Sequence, residues 1–511
     1  MAVSALDPTV LDPADRPRQP DSRRRSFQVV LLVEIWERFG YYGMQALLLL
    51  FLVNRLGYAD RDATLLWGAF AALTYAAPAI GGWLGDQVLG SRRAMVLGAA
   101  GLALGYGLLT TQVAGGDAGW LGMAMALVCV GNGLFKPNAG NLVRRIYEND
   151  DKRLDAAFTL YYMGVNIGAT VSQLLTPWLR DRFGWPVAFG VCAIGLVLAL
   201  GGYAVLRGRL RGIGSAPDER PVPARTALLV GLGIVVAVVA VAVVLRHAAL
   251  ARTCVWLAGL AILAAWTFIF QRATRPERPG LLVAYLLTLQ IILFFIFYQQ
   301  QSTSLTLFAL RNVSPDFRVL GVTLFSFSAA QFQALNPIWI MVMSPVLAVV
   351  YNRLGSRGSD LPIAGKFLLG FGCVTAAFVL WWGCTFSGGS ALVSPWALVW
   401  GYAAQSLGEL LTSGLGLAMV ARYAPQRLGA FMMGAFFVAV GVAMYLGSMV
   451  ANLAALPPGL EHVSPDQTLP IYHALFGRLT LLGVGSMVLC AVALPWLRRW
   501  DRAHRLTVEA S

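Results

Sequence analysis

The chain has 511 residues and a formal net charge of +14, yet 58% of it is apolar, only 13% is charged, and its mean hydropathy is +0.66. A soluble protein is nearer one-quarter charged, so this composition excludes an ordinary globular enzyme and a disordered chain. Most of the sequence belongs in lipid, where a spanning helix uses about 20 residues.

Residues 1–26 are polar, Pro-rich and end near Arg23-Arg24-Arg25; they read as a disordered cytoplasmic tail. They are no signal peptide, because the apolar stretch that follows is too long for an h-region. Spanning-length apolar runs then occur near 28–53, 64–85, 94–114, 120–143, 155–178, 186–206, 226–245, 253–271, 281–309, 320–350, 364–386, 395–421, 428–454 and 471–496. These fourteen runs predict an all-α polytopic membrane protein. With the N-terminus in the cytoplasm, 28 basic residues fall on that side, while Arg55, Arg61, Arg180, Arg182, Arg246, Arg252, Arg311 and Arg318 face outward. The positive-inside rule therefore places both termini in the cytoplasm. The net charge thus records topology, not a nucleic-acid partner.

Six cysteines sit singly in apolar runs without CxxC spacing, so neither a disulfide framework nor a metal site is expected. Three Lys beside 36 Arg fit a GC-rich bacterial genome, and the expected location is a bacterial cytoplasmic (inner) membrane.

Leu-Gly-Ser-Arg recurs at 89–92 and 354–357, each time in a cytoplasmic loop after the second span of a six-span block. An internal repeat is implied. The organisation is then a tail at 1–26, a six-helix bundle at 27–210, an inserted helical pair with linkers at 211–279, a second six-helix bundle at 280–498 and a tail at 499–511. Gly82-x-Leu84-x-Asp86-x-x-x-Gly90-x-Arg92-Arg93 resembles the loop signature of the major facilitator superfamily. That resemblance implies two bundles that rock about a shared cavity, with Asp86, Arg92 and Arg93 as gating residues.

A charge at the bilayer centre costs about 2.5–3.5 kcal/mol on insertion scales, so ionisable residues inside spans are the first functional candidates. At roughly 100° per residue, Glu34, Glu37, Arg38, Tyr41, Tyr42 and Gln45 share an arc of about 140° on the first helix. Such a stripe must line a cavity or meet polar groups on another helix; a static ion-pair seam is the structural alternative.

Glu34-Ile-Trp-Glu37-Arg38-Phe39-Gly-Tyr41-Tyr42 resembles the ExxERFxYY motif of proton-dependent oligopeptide transporters. The similarity continues in Gly131-Asn-Gly-Leu-Phe-Lys136-Pro137-Asn138, Phe158-Thr-Leu-Tyr-Tyr162-Met-Gly-Val-Asn166-Ile-Gly, Phe332-Gln-Ala-Leu-Asn336-Pro337 and Gln405-Ser-Leu-Gly-Glu409-Leu. These matches cover both bundles in family order, and bacterial members typically carry the inserted pair. The resemblance implies that Asn166 and Asn336 bind the peptide's amino end and backbone, that Tyr42 and Tyr75 form pocket walls, and that Glu34 and Glu37 carry protons. Each Asn can also serve as a plain helix–helix hydrogen bond.

The residues carry an independent argument. Lys136 and Arg38 supply cations in the first bundle, while Glu409 is the only carboxylate deep in the second. A cavity between the bundles would be dipolar and complementary to a short zwitterion, whose carboxylate suits Arg38 and Lys136 and whose ammonium suits Glu409. One extended residue covers about 3.3–3.6 Å, so anchoring both ends favours two or three residues. Desolvation favours a protonated carboxyl and a nearby guanidinium an ionised one, so moving Arg38 onto substrate would free Glu37 to take up a proton. The histidines at 247, 462, 473 and 504 lie away from the stripe.

The sequence departs from the family where Gln45 stands for the usual Arg and Gln299 for the usual Glu, and both positions are expected among the substrate-binding residues. Loss of both charges together suggests that the two positions face each other through a surviving hydrogen bond. Gly414 stands where Pro is common, so that helix is expected to differ in shape. The expected activity is proton-coupled import of di- and tripeptides by alternating access, with no bond made or broken, no cofactor beyond the coupling proton, and a monomer as the working unit. A carrier of nitrate or another non-peptide solute is the alternative, which Glu409 opposes because an anion gains nothing from a facing carboxylate. A membrane hydrolase is disfavoured by the lack of HExxH and GxSxG.

Overall fold

A computed structural model describes residues 20–115, 120–148, 150–357, 361–387, 392–456 and 464–509. Residues 1–19 of the expected tail, His462 and residues 510–511 lie outside the described residues. From Pro20 onward the chain is already helical, with Pro at the first position, where its missing N–H costs nothing.

The first bundle comprises α1 (Pro20–Asn54), α2 (Asp60–Leu84), α3 (Ser91–Gly115), α4 (Leu121–Ile146), α5 (Asp151–Phe183) and α6 (Trp185–Leu206). The inserted pair is α7 (Ala224–Arg246) and α8 (Ala248–Arg272). The second bundle uses α9 (Arg278–Tyr298) with α10 (Ser304–Asn312), α11 (Leu335–Ser356), α12 (Ile363–Cys384), α13 (Pro395–Leu411) with α14 (Gly416–Tyr423), α15 (Gly429–Ala451) and α16 (Pro465–Glu509). Two spans are therefore broken helices. Tight turns at Gln299–Ser302 and Ser413–Leu415 interrupt them, the second at the Ser413-Gly414 position where the sequence departs from the family. Among the described residues ten helical segments are long and apolar enough to cross a membrane; α1, α4, α5 and α13 are not among them, and α13 is also short at 17 residues. Those four carry Glu34, Glu37, Arg38, Lys136, Asn166 and Glu409, whose polarity lowers the hydropathy of their helices.

The run expected as a span over 320–350 is a correction. Its first part is a β-hairpin, β1 (Asp316–Val319) paired antiparallel with β2 (Val322–Ser326), and helix resumes only at Leu335 after a turn at Gln331–Ala334. Leu320 and Gly321 take φ of 50° and 85°, the paired positive values of a two-residue hairpin loop. Phe317 stacks on Phe325 at 4.5 Å, and Trp396 donates to the Arg318 carbonyl at 3.1 Å, tying the hairpin to α13. Hydropathy alone reads β-branched and aromatic strand residues as part of the helix.

Across the bundles α2 packs on α15 and α5 on α11, while α7 rests on α4 and α8 on α15 and α2. In their outer halves the bundles are joined by polar contacts. Arg311 of α10 grips Asp60 of α2 through both nitrogens, at 2.6 and 2.8 Å, and Asp60 also accepts from the Leu456 amide at 3.2 Å. Gln331 donates to the Leu174 carbonyl at 2.9 Å. Toward the cytoplasm the same helix α5 turns open, and Phe158, Leu160, Tyr162 and Met163 are exposed. Residues 341–356 of α11 likewise include no buried residue, so these helices are less closely packed toward the cytoplasm than in their outer halves.

The cytoplasmic loops are stapled by charge. Arg92 meets Asp218 at 3.6 Å and donates to the Leu210 and Asp218 carbonyls, and Arg93 reaches the carbonyls of Pro217 and Arg220. Gly90, at φ 90°, leaves room for Asp218, whose carboxyl carbon would lie 2.3 Å from a Cβ there. Farther along, Arg427 holds Glu277 bidentately, and this hydrogen bonding keeps the Glu277 carboxyl below the usual carboxylate range. A depressed carboxylate contributes at pH above its unfolded value and loses that contribution only as acid protonates it, so this tether persists through neutral pH.

Two expectations follow from packing. Gly81 abuts Gly133 so closely that a Cβ at 81 would lie 1.9 Å from the Gly133 carbonyl oxygen, whereas a Cβ at Gly107 meets nothing within 4 Å. Gly81→Ala should destabilise the detergent-solubilised protein by about 1–3 kcal/mol, read as a lower melting temperature, and Gly107→Ala should leave it within about 0.5 kcal/mol. Asp60 is buried, so Asp60→Asn alone should cost about 3–5 kcal/mol by leaving Arg311 unpaired, and Asp60→Asn with Arg311→Gln should recover part of that loss.

Candidate binding site between the bundles

The polar stripe of α1 folds into a compact ion cluster. Arg38 Nε hydrogen-bonds the Glu37 carboxylate and lies 3.3 Å from Glu34 Oε1; all three side chains are buried. The pairs are local to α1, so they are not the seam between two helices that the sequence allowed as an alternative. One terminal nitrogen of Arg38, Nη2, is buried without a hydrogen-bond partner. Its guanidinium carbon sits 5.5 and 5.9 Å from the rings of Tyr41 and Tyr42. Asn132 of α4 approaches Glu37 Oε1 at 3.5 Å. One turn further along α4, Lys136 Nζ lies 5.3 Å over the Tyr75 ring of α2.

This cluster lines a small cavity of about 20 Å³ that includes Arg38, Tyr42, Gln45, Tyr75, Asn132 and Lys136. A neighbouring cavity of about 80 Å³ is lined by Tyr42, Gln45, Asn166, Asn336 and Glu409, among others. Tyr42, Gln45 and Tyr298 line both cavities, so the cations border one and the lone carboxylate the other of two adjoining cavities with three shared walls. Asn336 of α11 donates to Glu409 Oε2 at 2.8 Å and to Ser406 Oγ at 3.1 Å, tying α11 to α13. Asn166 donates to the Tyr162 carbonyl of its own helix at 2.8 Å. Asn336 is thus a helix–helix link and a cavity residue together, while Asn166 is satisfied within α5.

Gln45 and Gln299 do not face each other, which corrects the expectation of a surviving hydrogen bond. Gln45 donates to Ser302 Oγ at 3.2 Å, and Gln299 donates to Ser448 Oγ at 3.0 Å on α15. The turn at Gln299–Ser302 rotates position 299 away from α1 and brings Ser302 there instead. Gln299, expected to bind substrate, is not among the residues that line either cavity.

The expected gating residues also act nearer home. Asp86 Oδ1 accepts from Asn141 at 2.8 Å and from Ser215 at 3.1 Å, and Arg92 and Arg93 clamp residues 210–220. They bind the first bundle to its following linker.

Tyr298, Tyr162, Gln173, Gln301, Gln333 and Asn132 line the cavities, and the sequence reading assigned them no role. Most stand within the same runs that singled out their neighbours. Which of Gln299, Gln300 and Gln301 points inward depends on the helix break: Gln300 bonds the Ile296 and Gly447 carbonyls, and only Gln301 reaches the cavity.

Comparison with known proteins agrees with this architecture. The PTR2 (POT family) model matches residues 92–464. The chain is 42% identical over 483 residues to dipeptide and tripeptide permease B of Salmonella typhimurium, covering 93% of this chain and 96% of that protein. It is likewise 42% identical over 486 residues to dipeptide and tripeptide permease A of Cronobacter turicensis, covering 94% of each. The crystal structure of tetrameric PepTSo2 superimposes with a TM-score of 0.85 at 47% identity, covering 94% of this chain and all of that one. A bacterial homologue of the human drug peptide transporters PepT1 and PepT2 superimposes with a TM-score of 0.84 at 48% identity, covering 94% and 99%. With two six-helix bundles, an inserted pair and a match through most of its length, the chain belongs to the POT family of multi-pass membrane transporters.

Proposed function

We infer that the protein is a symporter that imports di- and tripeptides across the bacterial inner membrane, driven by protons. The observation that carries this reading is the placement of Arg38 and Lys136 on one, and Glu409 on the other, of two adjoining cavities that share Tyr42, Gln45 and Tyr298 as walls. A peptide carboxylate would take the unpartnered Nη2 of Arg38 and the Nζ of Lys136, and the ammonium would displace Asn336 from Glu409. Tyr42 and Tyr75 would wall the space. Asn166 and Asn336 would meet the amide backbone, which every peptide shares. A nitrate carrier would gain nothing from Glu409.

Coupling would run through α1. Arg38 holds Glu37 and Glu34. When a substrate carboxylate draws the guanidinium away, the glutamates lose their counter-charge in a dry setting, and protonation relieves the cost. The membrane potential supplies about 2.3 kcal/mol per charge per 100 mV to this cycle. Every residue in the scheme comes from one chain, which supports a monomer as the transport unit, although the PepTSo2 relative is tetrameric.

The decisive measurement is uptake into proteoliposomes with an imposed proton gradient. Dialanine should accumulate, alanine and nitrate should not, and Glu409→Gln should lower dialanine uptake by about 30-fold or more, as expected for an unpaired charge at a binding site. Glu37→Gln should abolish gradient-driven accumulation while leaving dialanine exchange. Accumulation by Glu37→Gln equal to that of the parent would overturn the coupling scheme, and nitrate uptake that survives Glu409→Gln would overturn the substrate.

A further inference from the structure

A second cavity lies off the transport path. Between α2, α8 and α15, in the cytoplasmic half of the molecule, a chamber of about 900 Å³ opens to the side. Its walls include Ala79 and Gly82 of α2, Ala261 and Ile262 of α8, and Phe437 and Val438 of α15, with Asp86 and Gln87 as polar exceptions. Its size equals roughly thirty waters at ~30 Å³ each, yet an apolar void gives water too few partners to stay. The chamber also stands at a depth that α2, α8 and α15 place inside the bilayer.

The helix α8 has two apolar faces of different grain. Leu257, Leu260 and Leu263 are exposed and look outward, whereas Ala258, Ala261 and Ala265 line the chamber. The chamber thus opens to the lipid-facing surface beside α8, whose opposite face looks outward. We propose that acyl chains of a phospholipid from the cytoplasmic leaflet fill this chamber, and that the inserted pair serves to hold them against the seam between the bundles. Pro78 and Phe437 are shared by the chamber and by the Arg38–Lys136 cavity, so the lipid presses on two walls of the binding site. The inference rests on the membrane-spanning architecture and not on the identity of the transported solute.

The test uses the full-length protein in nanodiscs made with a phospholipid that carries a diazirine on its acyl chain. After photolysis, adducts are mapped by peptide mass spectrometry. Adducts are expected on the chamber-facing residues of 258–265 and 431–438 as well as on outward Leu260. Ala261→Trp narrows the chamber between α8 and α15 and should lower the α15 adducts, relative to those on Leu260, by at least about fivefold, equivalent to ~1 kcal/mol of occupancy. Ala265→Leu, a smaller change, should lower them in the same direction and serves if the Trp variant does not fold. Adducts confined to Leu257, Leu260 and Leu263, or α15 adducts indifferent to both substitutions, would overturn the proposal. So would their displacement by a bulky apolar dipeptide, which would make the chamber part of the substrate path.

Discussion

The structure is organised around the cost of keeping charge inside a bilayer. Glu34, Glu37, Arg38 and Lys136 cluster in the first bundle, and the cavity carboxylate Glu409 stands in the second. Two carboxylates and two cations leave the first bundle close to neutral, so its cluster closes largely on itself. Among the described residues Glu409 has no cation in a salt bridge with it, and it accepts from Asn336, a neutral donor. An isolated carboxylate in an apolar setting is the more costly arrangement, and it persists where a partner arrives from outside. The asymmetry between a self-neutralising cluster and a lone acid is what gives the cavity its direction.

Holding that asymmetry requires helices that are poor membrane helices. α1, α4, α5 and α13 are left out of the strongly apolar set, and they are the helices that carry the cluster, Lys136, Asn166 and Glu409. The remaining spans supply the hydrophobic bulk around them. The first break in the second bundle serves the same end. At Gln299–Ser302 the backbone leaves α-geometry where all four residues are buried, and such a break is tolerable at membrane depth where protein rather than lipid surrounds it.

Much of this was legible in the residues because the relevant signals are local. Fourteen apolar runs, the basic loops and the spacing of Glu34, Glu37 and Arg38 along one helix face need no knowledge of distant contacts. The hairpin at 316–326 was hidden because hydropathy sums residues without asking their period, and Val319, Val322, Leu324 and Phe325 score as membrane residues while forming strands. The facing of Gln45 and Gln299 failed for a different reason. A helical wheel assumes unbroken α-geometry, and the turn after Tyr298 hands the place opposite Gln45 to Ser302. Tyr298, Gln173 and Gln301 were missed because their inward aim depends on neighbouring helices.

The outer closure shows how charge and motion have been separated. At Gln45 and Gln299 the inter-bundle charges usual in relatives are absent, and neutral amides make two separate hydrogen bonds to serines. The strong inter-bundle ion pair lies instead at the outer rim, where Arg311 grips Asp60 and the chain at Leu456 adds a third contact. Such a pair is worth most when desolvated and loses its advantage once water reaches both partners. Opening the outer face wets Asp60 and Arg311 together, so their attraction falls steeply with the first separation and the closure behaves as a latch with two states. Because the latch is distant from Arg38, Lys136 and Glu409, a zwitterion bound among those three does not compete with it for charge. The binding groups are then free to match their substrate, and the rim supplies the charged part of what keeps the outer face shut, beside the neutral contacts of Gln331 and Gln45.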